Sequence, residues 1–165
     1  MSKWLLPAVA LLLANAQPGN CALFGFGDDK SWVEQESKLP AYPKPADLVA
    51  FYVSGATSNR FFVDAATLSV DADGVVRYAL VIRSASGAEN VSFEGLRCKT
   101  AERKVYAFGR KDGTWSAARA PEWSPIRYKD VNNHYGMLYA EYFCAADQTV
   151  KNRETAIRLL KYPRR

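Results

Sequence analysis

Histidine occurs once in these 165 residues, methionine twice and cysteine three times. A lone His134 and the lack of any Cys-x-x-Cys pair remove the usual zinc ligand sets and the dithiol redox motif. No Gly-x-Ser-x-Gly elbow marks a serine nucleophile. Beyond residue 16 no apolar run approaches the roughly 20 residues that a membrane-crossing helix needs. Lysine and arginine exceed aspartate and glutamate for a net charge of +5, yet they form no dense cluster of the kind a nucleic-acid module carries. Internal repeats and low-complexity runs are also missing. No cofactor, metal or nucleic-acid partner is therefore expected. Aromatic residues at 13% and charged residues at 24% give the balance of a globular chain, and the length suits one domain.

The chain opens with a different character. Lys3 precedes the apolar run Trp4–Leu13, and Ala14-Asn15-Ala16 supplies small residues at a cleavage position. Residues 1–16 thus read as a secretory signal peptide, with a buried N-terminal helix as the alternative. Export would place the protein in a periplasm. Residues 17–47 read as an extended arm, since Gly25, Gly27, Pro40, Pro43 and Pro45 interrupt any long element; only Ser31–Ser37 has room for a helical turn or two. Residues 48–165 read as one globular domain.

Within that domain the clearest signal is alternation. Val76, Tyr78, Leu80 and Ile82 alternate with Arg77, Ala79, Val81 and Arg83, so a strand here has one wholly apolar face and one carrying arginine. Val91, Phe93 and Gly95 alternate with Ser92, Glu94 and Leu96. Lys104–Arg110 repeats the pattern, Leu48–Ser54 is a short apolar strand, and Arg60–Val70 alternates less cleanly. Asp73-Gly74 and Asp112-Gly113 are tight-turn signals, with Gly87 serving a third turn. Strands joined by such short turns pair antiparallel. The expected fold class is α+β: an antiparallel β-meander of about five or six strands with one or two C-terminal helices packed on it. Tyr135, Leu138, Tyr139, Tyr142 and Phe143 mark one face of the first helix, although a strand is also compatible with these aromatics. Asn152 caps the second helix, whose inner face carries Ile157 and Leu160.

An oxidising compartment changes the meaning of the cysteines. Cys98 and Cys144 each end a structured segment, and a disulfide between them is the natural pairing; two buried free thiols are the alternative. Cys21 is left over. It is a candidate for lipidation and peripheral membrane attachment, but Pro18 and Asn20 sit where lipoprotein signals place an aliphatic and a small residue.

The elements Phe93-Glu94-Gly95-Leu96-Arg97-Cys98, Tyr106-Ala107-Phe108-Gly109-Arg110, Asp112-Gly113-Thr114-Trp115 and Pro121-Glu122-Trp123-Ser124-Pro125-Ile126 resemble, in order, the cryptic neisserial protein-like family. The likeness extends back through Phe62-Val63-Asp64 and forward to Tyr142-Phe143-Cys144. It implies an exported proteobacterial envelope protein, periplasmic or a lipoprotein, and no activity.

For chemistry, Glu94, Arg97, Arg110, Trp115 and Trp123 compose a candidate binding surface, because indole rings and guanidinium groups together grip sugars, peptides or anions. The competing reading makes both tryptophans core residues and pairs Glu94 with an arginine across the sheet. His134 is a further binding candidate. Its nearest helical carboxylate, Glu141, lies about 10 Å along the axis, too far for a general-base pair. Asp71-x-Asp73-Gly74 lacks the distal glutamate of a calcium loop. The sequence therefore points to a non-catalytic binding or structural module for an envelope protein, peptide or cell-wall component. A small periplasmic, hydrolase-like enzyme is the alternative.

Overall fold

The alternation between Val75 and Arg97 becomes two nine-residue strands in full register, Val75↔Arg97 to Arg83↔Glu89. The computed structural model describes residues 31–127 and 133–163, so the leader and Cys21 lie outside the described residues. The chain divides into two units, 1–32 and 33–165, and the second holds the sheet and both helices.

The sheet is built from β1 (Leu48–Phe51), β2 (Arg60–Asp64), β3 (Ser69–Val70), β4 (Val75–Arg83), β5 (Glu89–Arg97), β6 (Glu102–Gly109), β7 (Trp115–Ala117) and β8 (Ser124–Pro125). The order β1-β2-β4-β5-β6-β7 is an antiparallel meander, with β3 added on β4 and β8 on β6. Tight turns join β3 to β4, β4 to β5 and β6 to β7, and Gly74, Gly87 and Gly113 take φ near +80° in them, a conformation that costs glycine no steric penalty. The weak alternation of Arg60–Val70 has a cause. Asp64 accepts a hydrogen bond from the Ala66 N–H at 3.1 Å and closes a side-chain turn, which splits the segment into β2 and β3.

One face of the sheet presents Phe61, Val63, Val76, Tyr78, Leu80 and Leu96 to the main core. The opposing layer is α1 (His134–Met137), which runs directly into a π-helical turn (Leu138–Phe143), followed by α2 (Arg153–Lys161). The helical reading of Tyr135–Phe143 holds, and the wider π turn brings Tyr142 and Phe143 together into the core with Leu138. Tyr142 also ties this layer to the sheet's edge, where its hydroxyl exchanges hydrogen bonds with the Tyr52 backbone at 3.1 Å. Asn152 caps α2 by accepting from the Thr155 N–H at 2.9 Å. The inner face of α2 is turned one residue from the expected one. Ala156, Leu159 and Leu160 are buried, with Ile157 only half-buried.

Two further strands, β9 (Cys144–Ala145) and β10 (Gln148–Thr149), form a small hairpin between the helices. At its start Cys144 is bonded to Cys98, just past the end of β5, with Cα atoms 5.5 Å apart. The expected disulfide is present, and it fixes the helical layer to the centre of the sheet.

The second face of the sheet is covered by residues 33–44. This arm is extended, with no helical turn over residues 33–37. Its polar groups find partners on the sheet instead. Trp115 Nε1 donates to the Pro40 carbonyl at 2.9 Å, Tyr42 Oη to the Arg110 carbonyl at 3.1 Å, and the Gln35 N–H reaches Asp73 at 2.9 Å. Tyr42 and Trp115 pack on the small cluster of Phe62, Val81 and Val91 beneath.

Candidate binding cleft

Period two places Glu94 on the helix-facing side of β5, opposite Tyr78 on β4. Its carboxyl group is 2% exposed. Ser92 Oγ donates to it at 2.6 Å, Tyr135 Oη at 3.1 Å and Tyr78 Oη at 3.5 Å. Burial pushes the Glu94 carboxyl up from its ordinary value, against those hydrogen bonds and the charge of Arg103. An acid whose folded pKa exceeds its unfolded pKa holds its proton more firmly in the native state. Its stabilising contribution is complete below about pH 4.5 and declines as pH rises towards the folded value. Glu94→Gln should therefore flatten the pH dependence and gain on the wild type as pH rises. Urea denaturation of both proteins at pH 5 and pH 8 checks this; a wild type that grows more stable relative to Glu94→Gln at pH 8 contradicts it.

Tyr135 separates Glu94 from an open cleft of about 550 Å³. Arg103 on β6 faces it beside Leu96 of β5, and its guanidinium lies over the Tyr135 ring, 4.3 Å from the centroid. The β6–β8 pairing sets Ser124 opposite Arg103. Ile126 then anchors the loop, donating its N–H to the Ala101 carbonyl at 2.9 Å and burying its side chain, which leaves Arg127 at the cleft wall. His134 completes the wall. Its ring stacks on Phe61 at 5.4 Å and meets Tyr135 at 4.0 Å.

The residues singled out from sequence do not form one surface. Glu94 and His134 flank Tyr135 on the helix side. Arg97 is buried and reaches Glu102 at 3.9 Å, while Arg110 donates to Ser116 in the exposed β6–β7 hairpin at 3.2 Å. Trp115 and Trp123 serve the arm on the other face and are partly buried there, so they present no open Trp/Arg patch. Nor does Glu94 pair with an arginine across the sheet. Its partners are hydroxyl groups.

On the arm side, Glu34 receives hydrogen bonds from Lys104 Nζ at 2.7 Å, Tyr106 Oη at 2.8 Å and Trp123 Nε1 at 3.1 Å. Burial alone would raise the Glu34 carboxyl, but these donors outweigh it and hold the group below the usual range. Beside it Arg77 binds Asp71 at 2.6 Å, Asp73 at 2.7 Å and the Gln35 carbonyl at 3.1 Å. The pair Asp71 and Asp73 is thus the seat of a guanidinium. Gly95 is required here: a Cβ at that position would stand 2.5 Å from Tyr106 Oη, which would push the tyrosine off Glu34. The run Phe93-Glu94-Gly95 therefore serves both faces, its glutamate turned to the helices and its glycine making room on the arm side.

These placements account for the residues that carried the likeness seen in the sequence, and a match to the CNP1-like family spans residues 27–161. The chain belongs to the CNP1-like family. No curated protein and no solved structure matches it. In this CNP1-like chain the family region covers the arm, the whole sheet and both helices. The run Pro121–Ile126 holds Trp123 on the arm side, Ser124 at the cleft and Ile126 in the core.

Arg103, Arg127 and Ser124 were not singled out from sequence as site residues. Arg103 stands next to Lys104 at the start of a strand, and alternation does send the two to opposite faces. Nothing local shows that Ser124 and Arg127 return to meet Arg103.

Proposed function

We propose that this protein is an exported envelope protein with a non-catalytic binding role, exercised through the cleft beside Tyr135. The observation that carries the reading is the placement of Glu94. This carboxyl group is enclosed behind Tyr135 and bound by hydroxyl donors, while the cleft wall itself offers the donors Arg103, Arg127 and Ser124. Such a wall holds and orients a ligand, and its size lies within the roughly 300–1,000 Å³ of small-ligand sites. The Cys98–Cys144 bond supports export, since disulfides persist in oxidising compartments. The positions before Cys21 fit a periplasmic protein better than a lipid-anchored one.

His134 on the wall favours a second reading, a hydrolase-like enzyme using its imidazole. Complementation of a deletion strain, scored by its growth under envelope stress, separates the two. Under the binding reading, Arg103→Ala and Arg127→Ala fail to complement, whereas His134→Phe, which keeps the ring against Phe61, loses no more than a few-fold. Loss of all complementation in His134→Phe, with both arginine variants active, would establish the enzyme instead.

A further inference from the structure

We propose that the cleft takes its ligand by an oxyanion, a carboxylate or phosphate group gripped by Arg103 and Arg127; the proposal rests on the binding reading above and names its chemical class. The wall carries two guanidinium groups and an imidazole, and among the described residues no carboxylate side chain lines it. The carboxyl group close behind, Glu94, is fully enclosed and satisfied by hydroxyl donors. Its hydrogen bonds run to Ser92, Tyr78 and Tyr135, and it makes no ion pair with an arginine of the wall.

The two arginines also differ from others on the sheet. Arg77 pairs with Asp73 at 2.7 Å, Arg83 with Glu89 at 2.7 Å and Arg97 with Glu102 at 3.9 Å. Among the described residues neither Arg103 nor Arg127 has a carboxylate within ion-pair distance. Arg103 is nevertheless held, because its guanidinium lies over the Tyr135 ring. A guanidinium packed against a ring still has N–H groups to offer a planar acceptor, and arginine binds carboxylate and phosphate with two parallel hydrogen bonds. Tyr135 is in turn fixed by its hydrogen bond to Glu94. A held cation needs less ordering when the ligand arrives. Ser124, directly across the β6–β8 pair, adds a hydroxyl donor.

The test is a titration of the isotopically labelled full-length mature protein at constant ionic strength, followed by backbone amide shifts. One arm uses inorganic phosphate. The other uses N-acetyl-Ala-Ala with a free C-terminus against the same peptide amidated. The expected result is saturable shifts at Arg103, Ser124, Arg127 and Tyr135 with phosphate, with the free-acid peptide, or with both, and none with the amide. The responding arm tells a phosphorylated ligand from a carboxylate-terminated one. Arg103→Ala and Arg127→Ala each weaken binding at least ten-fold, while Lys111→Ala, which removes one charge from the far hairpin, stays within two-fold. Arg127 is exposed, so its variant tests the proposal even where Arg103→Ala alters the fold. The proposal is overturned when neither oxyanion gives saturable shifts in the cleft, or when both arginine variants bind like the wild type. An oxyanion failure combined with loss of complementation in Arg127→Ala would reject only the ligand class. Full complementation by both arginine variants would reject the binding reading itself.

Discussion

Replacing Cys98 and Cys144 together by alanine lowers stability by about 4 kcal/mol, which for a domain of this size is roughly a 10 °C fall in melting temperature. The bond closes a loop of 46 residues, and the entropy it removes from the unfolded chain grows with the logarithm of that length. The loop contains β6, β7, β8 and the entire π-helical turn. Without the bond, the helical layer keeps its apolar contact with the sheet and hydrogen bonds such as Tyr142–Tyr52, Tyr135–Glu94 and Arg153–Ala65. Both sulfurs are buried in the main core, so the double variant also leaves a small void, which adds to the loss. Thermal unfolding of the oxidised wild type, the reduced wild type and the double variant checks the prediction. Equal melting temperatures in all three would show that the bond contributes nothing.

Arg77→Ala should cost about 3–5 kcal/mol, the usual consequence of removing one partner from a buried charge pair. The side chains of Arg77 and Asp73 are 3% and 1% exposed, and Asp71 adds a second contact on the same guanidinium. Taking the cation away removes the guanidinium that faces the enclosed Asp73 carboxylate, and frees the Gln35 carbonyl of the arm. Burial would raise the Asp73 carboxyl, but hydrogen bonds from Arg77 and from the Gln35 and Val75 N–H groups hold it below its ordinary value. Stability from this group is therefore present above about pH 3.8 and is lost as pH falls through the lower folded value. The variant should consequently show its largest deficit near neutral pH and a smaller one in acid. Limited proteolysis gives a second readout, with cleavage between residues 33 and 44 accelerated in Arg77→Ala. A variant as stable as the wild type with an equally protected arm would mean that Arg77 is not what fastens the arm.

Local pattern carried most of the fold. The strands from Val75 to Gly109 followed from alternation, the β3–β4, β4–β5 and β6–β7 turns from Asp-Gly and Gly87, and the helix beginning at His134 from aromatic spacing; the β5–β6 turn, with Ala101 at positive φ, carried no such signal. The Cys98–Cys144 pairing followed from compartment and position. Each of these signals acts over a few residues or is fixed covalently. The arm was legible only as an extended stretch, because what orders it are side chains far along the chain. Glu34 meets Trp123 across 89 positions and Lys104 across 70. The cleft was hidden for the same reason. Its arginines become neighbours only when the loop through Trp123 and Ile126 folds back on β6, and no periodicity announces that return. Glu94 stood out in the sequence as a polar residue in a strand, but only the packing of Tyr78 and Tyr135 around it shows that it is enclosed.

The central proposal is that this chain, closed by a bond between the sheet and the helical layer, is exported and works outside the cytoplasm. Mass spectrometry of the unreduced protein recovered from periplasmic and membrane fractions tests it most directly. The account predicts a chain that begins after Ala16, carries no acyl group on Cys21 and yields a cross-linked peptide pair containing Cys98 and Cys144. A chain beginning at Met1 and found in the cytoplasm, with both thiols free, would contradict it.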